Sequence, residues 1–330
     1  MLRQPFISVV TPVYNGEKYL AECIESVLGQ TYAAWEYIIV NNCSSDGTLE
    51  IAQSYARQDS RIRIHNNPRF VSVVQNHNIG FELISPESKY SKVLQADDWL
   101  FPDCLKQMVE VAEAHPSVGI VGAYRVEGRR VNLDGLPYPS TVVPGRQICR
   151  LTLLEELYVF GSPTSLLIRS DLIRARKEFF DESNFGIHVD TAACYEALQD
   201  TDFGFVHQVL TYTRLHDQTE TSWSQRMNTY LPGQLMCLKK YGPIYFDPAE
   251  YKQCLDKLQN RYDRFLGKCI FQRRGKEFWD YHKKAMETLG FPLSRSRLFK
   301  SLLSEARDLL LGLIQTLRQA GGLMYRRDIK

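Results

Sequence analysis

Over roughly the first 215 residues, short apolar runs alternate with segments whose apolar positions recur at helical spacing. Phe6-Ile7-Ser8-Val9-Val10-Thr11 is apolar and β-branched and predicts a buried strand. It breaks at Pro12-Val13-Tyr14-Asn15-Gly16, after which Leu20, Cys23, Ile24, Val27 and Leu28 mark a helix. A second strand, Trp35 to Val40, runs into the polar turn Asn41-Asn42-Cys43-Ser44-Ser45-Asp46-Gly47, and a helix is predicted from Thr48 to Gln58. A short strand at Ile62–Ile64, a helix near Ser72 to Leu83 and a strand over Tyr90 to Ala96 follow.

After a helix from Asp103 to Ala114, Val118 to Tyr124 predicts another strand, and the Gly- and Pro-rich stretch 127–145 predicts loop with an edge strand. Leu166 to Arg169, Phe203 to Val206 and Val209 to Thr213 are the last predicted sheet segments, and beyond Thr221 the pattern is helical. Strand–helix alternation with short polar turns predicts an α/β fold, a doubly wound, mostly parallel sheet with helices on both faces and a C-terminal helical extension. In such a sheet, ligand groups gather at one strand edge, here Thr11–Asn15, Asn41–Asp46 and Gln95–Asp98.

Forty basic against 38 acidic side chains leave almost no net charge, which argues against a nucleic-acid binder. No signal peptide precedes the first strand, and no apolar stretch approaches the ~20 residues of a membrane-spanning helix. The eight cysteines contain no CxxC pair and read as reduced structural thiols of a cytoplasmic protein.

One acidic pair stands out: Asp97-Asp98, directly after an apolar run. Adjacent carboxylates repel, so a cation must make the pair tolerable, and a divalent ion carrying a phosphorylated substrate would serve. The competing reading is a helix cap, since Trp99-Leu100-Phe101-Pro102-Asp103 leads into a helical pattern. The pair alone does not decide between them.

Ile7 to Asn15, the helix ending Ser26-Val27-Leu28-Gly29-Gln30-Thr31-Tyr32, and Ile39 to Thr48 together resemble the opening of a family 2 glycosyltransferase, with the likeness running to about residue 216. The resemblance implies a GT-A fold and inverting transfer of a sugar from a nucleoside diphosphate, most often UDP, to a glycan or lipid-linked saccharide hydroxyl. It divides the chain into a catalytic domain over 1–220, nucleotide-binding to about 100 and acceptor-binding from about 101, and a helical region over 221–330. By position, Thr11, Pro12, Tyr14 and Glu17 would line the nucleotide pocket, with Asn41 and Asn42 near the base where many members carry aspartates. An amide there both accepts and donates, which keeps base reading open but leaves uridine specificity unsettled. Asn76-His77-Asn78 matches a stretch that more often reads Ala-Arg-Asn; Asn78 would contact nucleotide, and His77 replaces a cation.

Gln95-Ala96-Asp97 takes the place of the family's DxD motif, which implies a metal-bound diphosphate held by Asp97, with Gln95 and Ala96 beside the nucleotide. The expected cofactor is a divalent metal, Mn²⁺ or Mg²⁺. His216, in Arg214-Leu215-His216, matches a late element that often completes the metal shell, and imidazole suits Mn²⁺ better. Asp190 matches the second acid of the pair that supplies the base, with Val189 in place of the first; its competing reading is the N-cap of a helix over Ala192–Leu198. Asp98, His188 and Arg214 are weaker site candidates, and Gly161-Ser162-Pro163-Thr164 matches a loop near the sugar.

In the tail, Leu298, Leu302, Leu303, Ala306, Leu309, Leu310, Leu313, Ile314 and Leu317 form an apolar stripe accompanied by eight basic residues against three acids from 291 onward. Such a stripe packs on protein, a second protomer included, or lies in an anionic membrane surface at the cytoplasmic face. The substitutions Asn41, Asn42, Gln95 and Val189 also keep open a catalytically degenerate sugar-nucleotide binder. A nucleotidyltransferase ranks behind both, because the first turn lacks the Gly-rich basic loop that grips a triphosphate.

Overall fold

β1 (Phe6–Val13) is buried at every position after the first, with parallel strands on both edges and helices on both faces. The chain continues through α1 (Leu20–Leu28), β2 (Trp35–Asn41), α2 (Thr48–Ala56), β3 (Ile62–Asn66), α3 (Val73–Glu82) and β4 (Ser88–Val93). Then come β5 (Trp99–Leu100), α4 (Cys104–Ala114), β6 (Val118–Glu127), β7 (Arg130–Asn132), β8 (Val142–Val143) and α5 (Gly145–Leu153). A 3₁₀ turn (Pro163–Ser165), β9 (Leu167–Arg169), α6 (Ser170–Arg174), α7 (Val189–Ala197) and β10 (Asp202–Thr213) complete the sheet region. The structure, a computed structural model, describes residues 4–182, 188–216 and 220–293, with a few positions between 296 and 307.

The strands form one sheet in the order β3-β2-β1-β4-β9-β6-β10-β5, with β7 on β6 and β8 on β10. β1, β2, β3 and β4 run parallel, as do β6 and β10, while β9 is antiparallel to both β4 and β6. Side-chain alternation along β1 divides the helices between the faces. Ile7, Val9 and Val13 join a core with Leu20, Cys23 and Ile24 of α1, Ala52 of α2 and Leu105 and Met108 of α4. Val10 points the other way, against Gly80 of α3, where a Cβ would run into its Cγ1. This is the expected GT-A-type α/β architecture.

Several boundaries differ from the sequence reading. The strand expected to reach Ala96 ends at Val93, which frees Leu94 to Asp98 as a turn. Trp99 and Leu100, expected to lead into a helix, pair antiparallel with β10, and Trp99 stacks on Tyr212 at 3.6 Å. The two segments expected around residues 203–213 are one strand, whose register shifts between Val206 and Val209. That bulge accommodates His207, which bonds Tyr124 Oη and the Ser140 carbonyl. β7 and β8 both lie in the stretch expected to be loop with an edge strand.

The chain divides into two compact units, Met1–Trp223 and Ser224–Lys330. α8 (Glu220–Met227) crosses that boundary, and α9 (Tyr230–Tyr245), α10 (Pro248–Phe271) and α11 (Lys276–Thr288) follow. Asp247 caps α10 by accepting from the Ala249 and Glu250 amides. The fully buried His282 donates from Nε2 to the Met227 carbonyl and accepts at Nδ1 from the Tyr262 hydroxyl. Most of the apolar and basic tail stripe lies outside the described residues. Among the described residues, no helix is long and apolar enough to cross a membrane.

Candidate active site

The turns after β1 and β2 are stitched together at the carboxyl edge of the sheet. The Asn15 amide donates to Ser44 Oγ, Asn15 Oδ1 accepts from the Ser45 amide, and the Gly16 amide donates to Thr48 Oγ1. Glu17 accepts from the Gly47 amide through Oε2 and donates its own amide to Asp46. Partial burial pushes the Asp46 carboxyl up, but hydrogen bonds from Thr48 and the Glu17 amide outweigh it and hold the group below its ordinary value. Glu17 therefore braces this turn.

Thr11 does not line a pocket with its side chain, as the sequence reading expected. It is fully buried, donates to the Leu94 carbonyl at 2.7 Å, and meets Tyr37 Oη at 2.8 Å. Strand alternation turns it inward. Pro12 is also buried within β1. Tyr14 is 52% exposed and meets the 60% exposed Phe70 edge-on at 4.8 Å, a pair of accessible aromatic faces beside the asparagine turn.

Both asparagines of that turn are buried and engaged. Asn42 Oδ1 accepts from Asn67 Nδ2 and the Val71 amide, and its Nδ2 donates to the Val71 carbonyl. Asn41 donates to Asn66 Oδ1 and accepts from the Ser44 amide. Asn76 accepts from Asn67 and donates to the Val40 carbonyl. The Asn42 oxygen, at the position expected to read a base, has both lone pairs committed to the protein's own loop.

His77 and Gln95 meet at 2.9 Å. His77 Nδ1 donates to the Val73 carbonyl, so Nε2 accepts from Gln95 Nε2. Burial pushes the His77 imidazole below its ordinary value, in keeping with this neutral form, although the Val73 carbonyl and Asp190 pull upward. Asn78 pairs with both the amide and carbonyl of Phe180, fastening the segment before α7 to α3. Ala96 packs against the core near Gly16.

The acidic pair divides sharply. Asp97 is 29% exposed and its Oδ2 accepts from His216 Nε2 at 3.1 Å, joining residues 119 positions apart. Asp98 is 3% exposed and accepts from Thr164 Oγ1, the Arg214 amide and Thr213 Oγ1. Burial and the neighbouring Asp97 charge push the Asp98 carboxyl up to about 7, against the pull of Thr164, the Arg214 amide and Arg125. Asp98 is not a helix cap, because α4 begins at Cys104 with Asp103 before it. Arg214 donates from Nε to the Asp97 carbonyl and from Nη2 to Glu22, and its guanidinium lies 4.3 Å from the Tyr19 ring centre.

Asp190 sits in the first turn of α7, one residue inside its start at Val189, with its Oδ1 accepting from the Thr191 amide. His188 holds the cap position in a left-handed conformation. Asp190 lies within electrostatic reach of His77 and Tyr158. Beyond it, the buried Arg125 of β6 donates to Asn132 Oδ1 and Glu127 Oε1, with Tyr158 Oη 3.5 Å away. Asp97 and His216 offer a carboxylate oxygen and an imidazole nitrogen side by side. Among the described residues, no group of three or more His, Cys, Asp or Glu side chains comes together to enclose a metal.

Sequence reasoning passed over Lys92 and Arg125, cations at buried positions of sheet strands. A cation within a segment read as a buried strand is the signal that could have found them. It also passed over Asn67, whose role rests on partners from the Asn41–Cys43 turn and from Asn76 of α3.

Residues 8–176 match the family model described as "Glycosyl transferase family 2". EpsE of Bacillus subtilis, named as a glycosyltransferase, is 30% identical over 224 residues, 63% of this chain and 78% of EpsE. TuaG of the same organism, named for teichuronic acid biosynthesis, is 35% identical over 107 residues, 32% of this chain and 42% of TuaG. Among solved structures, residues 1–349 of S. aureus TarS in complex with UDP align with a TM-score of 0.64 at 16% identity, over 93% of this chain and 92% of that one. That last likeness concerns the fold.

Proposed function

The chain belongs to glycosyl transferase family 2, and on that premise we propose that it moves a sugar, with inversion, from a UDP-sugar to a hydroxyl of a glycan or lipid-linked saccharide in cell-surface polysaccharide synthesis. The observation that carries this reading is the Asp97–His216 contact of 3.1 Å at the carboxyl edge of the sheet. Asp97 and His216, one carboxylate and one imidazole, would hold a Mn²⁺ ion brought in with the diphosphate. When bound, such an ion stabilises the charge of the departing diphosphate. Tyr14 and Phe70 offer stacking faces for the base. Asp190 accepts the proton of the acceptor hydroxyl as the anomeric carbon is attacked. His77 and Gln95, bonded to each other, hold the start of the Gln95–Asp98 turn against α3.

A lipid-linked acceptor would bring the enzyme to the cytoplasmic membrane face, in keeping with the basic and apolar tail. A non-catalytic sugar-nucleotide binder is the second reading, motivated by the uncharged Gln95 and Val189 at positions where acids are common. Incubation with UDP-, GDP- and dTDP-sugars, with Mn²⁺ or with chelator, separates the two. The transferase reading expects UDP release that chelator and Asp190→Asn both abolish. Tight donor binding without turnover, unchanged in Asp190→Asn, would establish the binder instead.

A further inference from the structure

Lys92 is fully buried at the centre of the sheet, paired on one side with Val9 of β1 and on the other with Leu167 of β9. Its Nζ donates to the Thr164 carbonyl at 2.5 Å and the Leu166 carbonyl at 3.1 Å, with Met108 Sδ at 3.7 Å. None of these partners is a carboxylate. A buried cation without a contacting anion is costly, and a methionine would fill the same volume at less expense. Burial accordingly pushes the Lys92 ammonium below its ordinary value, although Cys104 and Asp98 pull it upward. The carbonyls it meets belong to the 3₁₀ turn and the residue after it.

The turn held in this way carries Thr164, itself fully buried. Thr164 Oγ1 donates to Asp98 Oδ2 at 2.7 Å and accepts from the Gln95 amide at 3.1 Å. Asp98 then accepts the Arg214 amide, and Arg214 Nε donates to the Asp97 carbonyl. The turn from Gln95 to Asp98 is thus tied at its first amide, at the Asp97 carbonyl and at its last carboxylate. Only the Asp97 side chain is left to face His216.

We propose that Lys92 is a positioning residue: it fixes the Thr164 turn by its carbonyls, and Thr164 transmits that constraint to the Gln95–Asp98 turn that presents Asp97. The proposal rests on the donor-site reading of Asp97 and adds what holds it in place. No bond to ligand is assigned to Lys92.

Three variants of the full chain test it: Lys92→Met, Thr164→Val and Thr164→Ser. The first readout is amide hydrogen exchange at Gln95 and Arg214 in the ligand-free protein. The second is calorimetric binding of UDP with Mn²⁺. Lys92→Met and Thr164→Val are expected to speed exchange at both amides by about tenfold relative to β1 and β2, and to weaken UDP·Mn²⁺ binding by about tenfold, the equivalent of roughly one buried hydrogen bond. Thr164→Ser keeps the hydroxyl and should protect both amides as the parent does. Folded Lys92→Met and Thr164→Val proteins whose two amides exchange at the parent rate overturn the proposal, as does exchange that rises uniformly over the sheet. Where Lys92→Met fails to fold, the valine and serine pair tests the link from the Thr164 hydroxyl to the turn, without which Lys92 has no route to Asp97, and equal exchange in the two overturns the proposal. Absence of UDP binding in the parent would refute the donor reading, while the exchange readout still judges the relay.

Discussion

Replacing Thr11 by valine tests whether this residue belongs to the core or to the nucleotide pocket. The swap preserves shape, so no cavity forms and the effect isolates one hydroxyl. The Leu94 carbonyl can only accept, so the Thr11 proton goes there at 2.7 Å, and Tyr37 must donate to Thr11 Oγ1 at 2.8 Å. Valine therefore strands one buried carbonyl and one buried phenol. Each unsatisfied group costs about 1–3 kcal/mol. Tyr37 recovers part of its loss by turning to Cys23 Sγ, 3.5 Å away. The expected loss is about 2–4 kcal/mol, a large share of the ~5–15 kcal/mol of a typical native state. With a urea m-value of ~3 kcal/mol per molar, the unfolding midpoint should fall by about 1 M. Calorimetric binding of UDP, at a temperature where the variant is folded, should change little. A stability loss below about 1 kcal/mol together with a tenfold or greater loss of UDP affinity would refute the reasoning and return Thr11 to the pocket.

Asp190→Asn should cut kcat by about 10²–10⁴ while leaving donor affinity within about twofold, read from steady-state kinetics beside UDP binding. An equal effect on both would remove its role as base. His282 is held neutral by burial, its pKa depressed to about 4. The unfolded chain takes up that proton first as pH falls below about 6.5, so stability of the C-terminal helices should drop by about 3 kcal/mol between pH 6.5 and 4 and level off below. His282→Gln should flatten that slope in urea titrations read by hydrogen exchange of α11, even if it lowers stability at neutral pH. Gly80→Ala gains helix propensity worth about 1 kcal/mol but drives a methyl into Val10, and a net loss of about 1–2 kcal/mol in urea unfolding is expected. A more stable variant would show that α3 can shift away from β1.

What could be read from the sequence followed from how each residue is buried. β1 and β2 are covered on both faces, so their apolar runs were continuous and unmistakable. The turns at Asn15 and Asp46 announced themselves through polar residues that bond locally. A two-residue strand such as Trp99–Leu100 has no period to detect, and its partner Tyr212 lies far along the chain. The direction of Thr11 was lost for a related reason: at a strand's end, one residue of alternation separates core from cleft. Lys92 was passed over because its acceptors are backbone carbonyls of Thr164 and Leu166, which no side-chain pattern records.

The acidic pair shows how far identical chemistry can diverge within one turn. The expectation was that something cationic nearby must reconcile two adjacent carboxylates, a divalent ion being one candidate. The structure supplies much of that reconciliation internally, since Arg214 and Thr164 hold Asp98 while Lys92 anchors the Thr164 turn beneath it. With its carboxyl buried and pushed up to about 7, Asp98 carries less negative charge near neutral pH than an exposed aspartate would. The repulsion between the neighbours falls accordingly, and the Asp97 carboxylate is left to meet His216 at 3.1 Å. A site prepared in this way need not form around its ligand. Asp97 offers a partly exposed carboxylate whose backbone is held on both sides, which is the preorganisation that binding a metal diphosphate would exploit.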